Sequence, residues 1–282
     1  MFGKILGRFY LGRDLGLSDD DTHGYTISEL VETFPAWSRW ISQLPPIPKR
    51  LFTMFETSDV HPDIIREMKL FDKVIVPYDY LRDVLLKRGV NCEALNEYTS
   101  PLIRHKPEVI QKKCDPDRLV FLYVGTNDIR KNLTTLTRAF VRFSAGTRHT
   151  LLVKTNHALD LPESDNIQYV TAKVTMDRLA GMYNTCDYVI SCTRGEGVGL
   201  PFLEASYFNK PVIAHTGGVL GTLAKSQEWI PLPHREVPTP SEGVPDYLQK
   251  VFYGTWWEVS EDDVVSKLSE ISRDRQQHRC SP

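Results

Sequence analysis

Short continuous apolar runs alternate with longer segments of periodic apolar residues from residue 118 onward. Continuous apolar runs indicate strands that are buried on both faces, and apolar residues that recur every three or four positions indicate amphipathic helices. The predicted strands cover residues 118–125, 149–155, 167–171, 187–192 and 211–216, and the predicted helices cover 133–143, 176–185 and 200–209. This alternation predicts a doubly wound α/β domain, whose ligands bind at the carboxyl ends of the strands.

A shorter series of the same kind lies nearer the start of the chain. Its predicted strands cover residues 50–56 and 72–77, and its predicted helices cover 61–71 and 78–89. The series predicts a further parallel sheet that is buried on both faces. The preceding residues contain a helix candidate and a proline-rich break, at 27–34 and 44–49, and their order in a sheet stays open.

The length of 282 residues leaves room for two domains of ordinary size. We expect an N-terminal Rossmann-like domain over residues 1–112 and a C-terminal Rossmann domain over residues 113–282. An amphipathic helix near residues 261–272 is a candidate for packing back on the N-terminal domain.

Composition and charge narrow the class of protein only slightly. A net charge of −2 argues against a surface that is basic throughout. The five cysteines lie far apart and show neither the spacing of a zinc site nor that of a disulfide framework, so we expect a reducing, cytoplasmic setting. No apolar run reaches the roughly 18 residues of a membrane span, so any membrane contact is expected to be peripheral.

The loop after the strand at 118–125 combines a glycine with two cations. Gly125 lets the backbone turn closely, and a helix begins near Asn132. Arg130 and Lys131 supply charged donors beside the positive end of that helix, although two solvated cations at a helix start would look the same. Lys154 ends the next strand on the same sheet edge. Three converging cations favour a diphosphate ligand.

A glycine-rich loop at residues 193–199 follows a strand and leads into a helix at Leu200. Its small residues would let a ligand approach bare backbone amides. Glu196 lies in the loop and Glu204 lies in the first turns of the helix, with seven residues between them. These carboxylates could accept hydrogen bonds from the hydroxyls of a sugar ring and of a ribose. Glu204 could instead be a favourable charge near a helix N-terminus.

These two segments together resemble the donor domain of retaining glycosyltransferase family 4, the glycogen-synthase-like group with the GT-B fold. Family members show a strand, a glycine and an Arg-Lys-Asn-like loop, followed about seventy residues later by Glu-Gly-Phe-Gly-Leu-Pro and a second glutamate. This chain has Arg130-Lys131-Asn132, then residues 196–201 as EGVGLP, then Glu204, with Val198 in place of the usual aromatic residue. The likeness covers roughly residues 118–221.

The resemblance implies a GT-B-like α/β fold of two Rossmann-type domains facing a cleft, the N-terminal one shortened. It also implies roles for individual residues. Arg130 and Lys131 would hold the donor diphosphate, Glu204 would bind the nucleotide ribose, and Glu196 would contact the transferred sugar as a catalytic residue. The remaining donor-binding candidates are Gly125, Asn132, Lys154, Gly197, Val198, Gly199 and Leu200.

The implied reaction is transfer of a hexose or pentose from a nucleoside diphosphate sugar to an acceptor hydroxyl, with retention of configuration. The resemblance implies no cofactor and no metal, because cations and helix dipoles would stabilise the departing diphosphate. A glycan or lipid-linked glycan is the expected acceptor, entering between the domains. His61 and Glu56 are acceptor-side candidates, although His61 precedes a proline and could simply start a helix.

Several alternatives accompany this interpretation. A nicotinamide or flavin enzyme is disfavoured, because the glycines at 195, 197 and 199 lack the G-x-G-x-x-G spacing and its downstream acid. A nucleotide-sugar epimerase of the same fold, a non-catalytic partner that binds a sugar nucleotide, and transfer to a modified nucleic acid stay open. The run Asp19-Asp20-Asp21 could suggest a metal site, but its polar surroundings favour a helix start.

Overall fold

The computed structural model describes residues 6–11, 24–26, 49–96, 98–110, 117–240 and 246–280. The chain divides into two compact units. The first unit comprises Met1–Tyr98, Glu196–Val198 and Val237–Trp256, and the second comprises Thr99–Gly195, Gly199–Glu236 and Trp257–Pro282. The predicted helix at 27–34 and the acidic run at 19–21 lie outside the described residues.

The first unit contains a five-stranded mixed sheet in the order β2-β1-β3-β4-β5. Strands β3, β4 and β5 are parallel, whereas β1 is antiparallel to both β2 and β3. Helices α1 and α2 connect the parallel strands, as the sequence pattern predicted. The bounds are β1 Leu6–Leu11, β2 Gly24–Thr26, β3 Lys49–Phe52, α1 Pro62–Met68, β4 Lys73–Val76, α2 Asp79–Lys87 and β5 Cys92–Ala94.

The second unit contains a six-stranded parallel sheet in the order β11-β10-β9-β6-β7-β8. The predicted α/β alternation is confirmed, and its order is doubly wound. The strands are β6 Val120–Val124, β7 Thr150–Lys154, β8 Ile167–Val170, β9 Tyr188–Ile190, β10 Val212–Ala214 and β11 Trp229–Pro231. The helices between them are α3 Leu133–Ser144, α4 Met176–Thr185, α5 Leu200–Tyr207 and α6 Val219–Leu223.

The strand order of the second sheet reverses between β6 and β9. From β6 the chain adds β7 and β8 on one side, and then returns to place β9 and β10 on the other side. Loops that leave neighbouring strands in opposite directions open a crevice at the carboxyl edge, which is where doubly wound sheets bind their ligands. The loops that follow β6 and β9 are the two segments that the sequence singled out.

The chain ends in a long helix, α8, Glu261–Cys280, which packs against α3 of the same unit. Val264, Leu268 and Ile271 recur at helical spacing and are buried in the core of the second unit, which also contains Phe121 and Phe140. The structure groups this helix with the second unit, in agreement with the expected domain of residues 113–282, because its apolar face completes the core on α3. Its packing on the N-terminal domain stays a prediction.

The segment before the second sheet also belongs to the second unit. A 3₁₀ helix at Pro101–Arg104 packs on α4 and α5, and its Leu102 is fully buried. The two units therefore divide at 98/99 rather than at the expected 112/113, a position that lies outside the described residues. Residues 237–256 return to the first unit and carry α7, Asp246–Val251.

Two further strands follow the second sheet within the proline-rich tail. β12, Arg235–Pro238, and β13, Thr255–Glu258, form a separate two-stranded sheet. β13 leads directly into the start of α8 at Glu261. The tail therefore connects the second sheet to the helix that closes its core.

Leu268→Ala should lower the free energy of unfolding by about 2–5 kcal/mol, because it leaves a cavity where α8 packs into the core. Urea denaturation followed by circular dichroism measures this change. Ser266→Ala, at an exposed position on the same helix, is the control and should change little. Equal stabilities of the two variants would contradict the packing of α8 on α3.

Candidate functional site

The loop between β6 and α3 ends at a residue with left-handed backbone conformation. Asn132, with φ 51°, precedes the first residue of α3, and no described side chain caps that helix. Its side chain is 6% exposed, its Oδ1 accepts a hydrogen bond from Thr135 Oγ1 at 2.8 Å, and its Nδ2 finds no partner among the described residues. A buried amide and the positive end of a helix therefore lie together at the carboxyl edge of β6.

The two cations of this loop occupy positions that the loop's own contacts fix. The Lys131 backbone N–H donates to Asp128 Oδ1 at 2.9 Å, and the Lys131 side chain is buried. The Arg130 Nη1 donates to the carbonyl oxygen of Gly195 at 2.7 Å. Arg130 therefore links the loop after β6 to the loop after β9, a contact that its predicted diphosphate role did not anticipate.

Lys154 lies beside these residues, as the strand-end rule predicted. It pairs with Val124 in the parallel register of β6 and β7, and its carbonyl accepts the Gly125 N–H at 3.0 Å. Its Nζ donates to the carbonyl of Thr155 at 3.0 Å. Burial lowers the pKa of the Lys154 ammonium. The structure thus brings Gly125, Lys131 and Lys154 to one edge of the sheet.

The loop after β9 reaches α5 through a left-handed glycine. Gly199 has φ 72° and precedes the first residue of α5, again without a side-chain cap in the described part of the chain. A Cβ at Gly199 would lie 2.7 Å from Leu223 Cδ1, so both the backbone angle and the space favour glycine here. Leu200, the first residue of α5, is exposed. Two helices, α3 and α5, therefore begin in the same manner at the switch point.

Residues 196–198 of this loop group with the first unit. Glu196 is buried. A Cβ at Gly197 would lie 2.8 Å from Met54 Cγ, and the Tyr78 hydroxyl donates to the carbonyl of Val198 at 2.8 Å. Burial raises the pKa of Tyr78. Tyr78 thus holds the backbone at Val198, a contact that the sequence pattern did not predict.

Glu204 is buried on α5 and holds two hydroxyl groups of the second unit. Its Oε1 accepts from Ser100 Oγ at 2.6 Å, and its Oε2 accepts from Tyr183 OH at 2.7 Å. Burial raises the pKa of Glu204, while these two hydrogen bonds act in the opposite direction. The carboxylate thus connects α5, α4 and the segment that starts the 3₁₀ helix. Its predicted role as the ribose ligand stays a prediction.

The acceptor-side candidates lie in the first unit. His61 Nδ1 accepts the backbone N–H of Asp63 at 3.1 Å and so caps α1, the helix-start role weighed in the sequence analysis. Its ring also contacts the Tyr253 ring edge on, with centroids 5.1 Å apart. Glu56 is buried. The acceptor role of His61 and Glu56 stays a prediction.

Sequence reasoning missed a buried histidine at the end of β10. His215 is fully buried; its Nε2 lies 2.7 Å from the carbonyl of Thr193, and its Nδ1 accepts the Gly217 N–H at 3.0 Å. A neutral ring protonated on Nε2 satisfies both contacts. Trp257 stacks on His215 and fills the space beside Gly217. The only sequence signal was the HTGG segment directly after a predicted strand.

In the described part of the chain, the histidine, cysteine and carboxylate side chains form no group of three or more that could hold a metal ion. None of its helices combines the length and the apolar character that crossing a bilayer requires.

The comparison with family models matches residues 106–230 to the family Glycosyl transferases group 1. The matched segment runs from the residues before β6 into β11 and contains the loop with Arg130 and Lys131, the glycine-rich loop, and Glu204. No curated protein sequence matches the chain. The family match lends support to sugar transfer.

Solved structures show the fold. An α,α-trehalose 6-phosphate synthase from Burkholderia multivorans has a TM-score of 0.53 at 12% identity, over 88% of this chain and 64% of that one. Sucrose-phosphate synthase from Thermosynechococcus elongatus has a TM-score of 0.47 at 18% identity, over 77% and 56%. The pneumococcal O-GlcNAc transferase GtfA, in complex with UDP and GlcNAc, has a TM-score of 0.47 at 13% identity, over 96% and 45%.

The likeness to the trehalose 6-phosphate synthase confirms the predicted GT-B-like α/β fold. The chain spans between 45% and 64% of the length of the three proteins.

Glu204→Gln should remove a pH-dependent part of the stability. The pKa of Glu204 is raised above its ordinary value of 4.5 in the folded state, so folding favours the protonated carboxyl. This contribution is present below 4.5 and is lost as the pH rises through the raised pKa. The unfolding free energy of the wild type minus that of Glu204→Gln should therefore fall with rising pH in urea titrations.

Glu270→Gln, at an exposed position on α8, is the matched control. A difference between wild type and Glu204→Gln that stays constant, or that grows toward neutral pH, would contradict the burial of the Glu204 carboxyl.

Proposed function

We propose that this protein transfers a sugar from a nucleoside diphosphate sugar to an acceptor hydroxyl with retention of configuration. The observation that carries the proposal is the start of α3. Three features lie together there, at the switch point of a parallel sheet. They are the buried Asn132 amide, which has no described partner, the helix end, which has no described side-chain cap, and the cations Arg130 and Lys131. Together these groups favour an anion, and a diphosphate fits their charge.

Each part of the donor has a proposed partner. Arg130 and Lys131 bind the diphosphate with the first-turn amides of α3, and Lys154 adds charge from the next strand. Glu204 accepts hydrogen bonds from the ribose in addition to those of Ser100 and Tyr183, because an ionised carboxylate has about four acceptor sites. Backbone groups of residues 197–200 approach the sugar and the phosphates, and Glu196 contacts the transferred sugar.

The proposed chemistry places no nucleophile on the protein. The acceptor hydroxyl attacks the face of the sugar from which the diphosphate departs, which retains the configuration. Positive charges and helix dipoles stabilise the departing diphosphate, so the proposed reaction uses no metal and no cofactor. Glu196 orients the sugar and stabilises the positive charge that develops on it in the transition state.

The acceptor that we propose is a glycan or a lipid-linked glycan, with His61 and Glu56 of the first unit as candidate contacts. We propose a cytoplasmic location, with any membrane contact peripheral, which is consistent with the buried thiols of Cys92, Cys186 and Cys192. An epimerase, a non-catalytic partner and transfer to a modified nucleic acid remain alternatives. Turnover separates them: an epimerase converts the donor without an acceptor, and a non-catalytic partner binds the donor without converting it.

The first experiment is a thermal-shift panel of UDP-, GDP-, ADP- and dTDP-sugars, followed by an acceptor screen with the donor that stabilises the protein most. A donor at about 100 times its dissociation constant should stabilise the fold by about 2.7 kcal/mol. A panel without any stabilising donor would overturn the proposed function.

Arg130→Ala and Glu196→Ala should each lower turnover by about 10²–10³-fold, the usual cost of losing one preorganised electrostatic contact. Transfer assays at saturating donor measure this loss, and circular dichroism checks the fold. Arg138→Ala is the matched control, because this arginine is exposed on α3. A near-normal rate in either variant removes that residue from the proposed mechanism.

A further inference from the structure

Arg194 has no role in the proposed mechanism, yet its side chain is about four-fifths buried, with 19% exposed. Its Nε and Nη2 donate to the two carboxylate oxygens of Glu258 at 2.6 and 2.9 Å. Its third nitrogen, Nη1, donates to the carbonyl of Ile129. Each nitrogen of the guanidinium group therefore has a partner, in the forked geometry that binds carboxylates strongly.

The backbone of Arg194 extends these contacts. Its N–H donates to the carbonyl of Arg130 at 2.7 Å, and its carbonyl accepts the N–H of Trp257 at 3.1 Å. Arg194 thus connects the loop after β6, the loop after β9 and the end of β13. Glu258 is followed by Val259, which is buried in the same core as the residues of α8.

The contacts of Arg194 and Gly195 fix the position of Arg130. The carbonyls of Ile129 and Arg130 are both bound by Arg194, and the Arg130 guanidinium binds the carbonyl of Gly195, the residue after Arg194. The backbone on both sides of the Arg130 Cα and the end of the Arg130 side chain are therefore held by two consecutive residues of the loop after β9, Arg194 and Gly195. A shift of Arg194 would move both points together.

An arginine paired with a glutamate suits this set of contacts. An arginine has a planar group with five donors, so it can bind a carboxylate with two nitrogens while a third binds a carbonyl. A lysine has one nitrogen and cannot reproduce the fork. Glu258 supplies a negative charge to the fork, and it neutralises a cation that would otherwise repel Arg130 and Lys131.

We propose that Arg194 and Glu258 are positioning residues for the donor site: their ion pair, together with the bond from Arg194 to Ile129, holds the loop of residues 126–132 in the conformation that binds the diphosphate. This inference rests on the proposed function, because it assumes that the loop of residues 126–132 binds a diphosphate. A general contribution of the ion pair to stability is the alternative, and it would affect the whole unit rather than one loop.

Hydrogen–deuterium exchange of the full chain tests the loop directly. Glu258→Gln and Arg194→Lys should each speed amide exchange in residues 126–132 by about tenfold or more, since local opening sets exchange in loops. The loop at 145–149, which leads into the amino end of β7, is an internal reference and should keep its exchange rate. Asp262→Asn is the matched control, because Asp262 binds Arg142 at the exposed surface of α8.

Binding of UDP, GDP, ADP and dTDP by isothermal titration gives the second readout. For the nucleotide that the wild type binds, affinity should fall by about 10- to 100-fold in both variants, the size of effect that misplacing a binding group by about 1 Å produces. In transfer assays the donor KM should rise more than kcat falls. Asp262→Asn should behave as the wild type in every assay.

The outcomes separate the two proposals. A wild type that binds none of the four nucleotides overturns the proposed function, and with it the donor role of the ion pair. A wild type that binds, with unchanged exchange and affinity in both variants, overturns the positioning role alone. Faster exchange throughout the second unit, rather than in residues 126–132, also overturns it.

Discussion

The candidate site depends on how the second sheet arranges the ends of two helices. Strands β6 and β9 are neighbours and parallel, and the connection after β6 leads to one side of the sheet while the connection after β9 leads to the other. The amino ends of α3 and α5 therefore face the same edge. Asn132 and Gly199 start these helices in left-handed conformations, and no described side chain caps either one. The partial positive charge of both ends is therefore available to an anion.

Concentrating positive charge at one edge costs free energy while no anion is bound, so the loops need supports that do not depend on a ligand. The structure supplies three. Asp128 binds the backbone of Lys131, Arg130 crosses to the carbonyl of Gly195, and Arg194 takes its counter-charge from Glu258. In this view the ion pair and the loop contacts are parts of one arrangement that keeps the cations in place before a diphosphate arrives.

Sequence reasoning succeeded where a local pattern determines local structure. Continuous apolar runs identified β6, β7 and β10, and the helical spacing identified α3 and α4. It failed where short elements carry little pattern: β5 is three residues with Glu93 at its centre, and β11 was not predicted at all.

Within the candidate site, sequence identified the loops but not the contacts between them. Ser100 and Glu204 are 104 residues apart, and Arg194 and Glu258 are 64 apart, so only the fold brings each pair together. The measurement that tests the central claim most directly is amide NMR of the whole protein during titration with UDP and GDP. The account predicts the largest shifts at residues 125–135 with at least one nucleotide; no shifts, or shifts concentrated elsewhere, would contradict it.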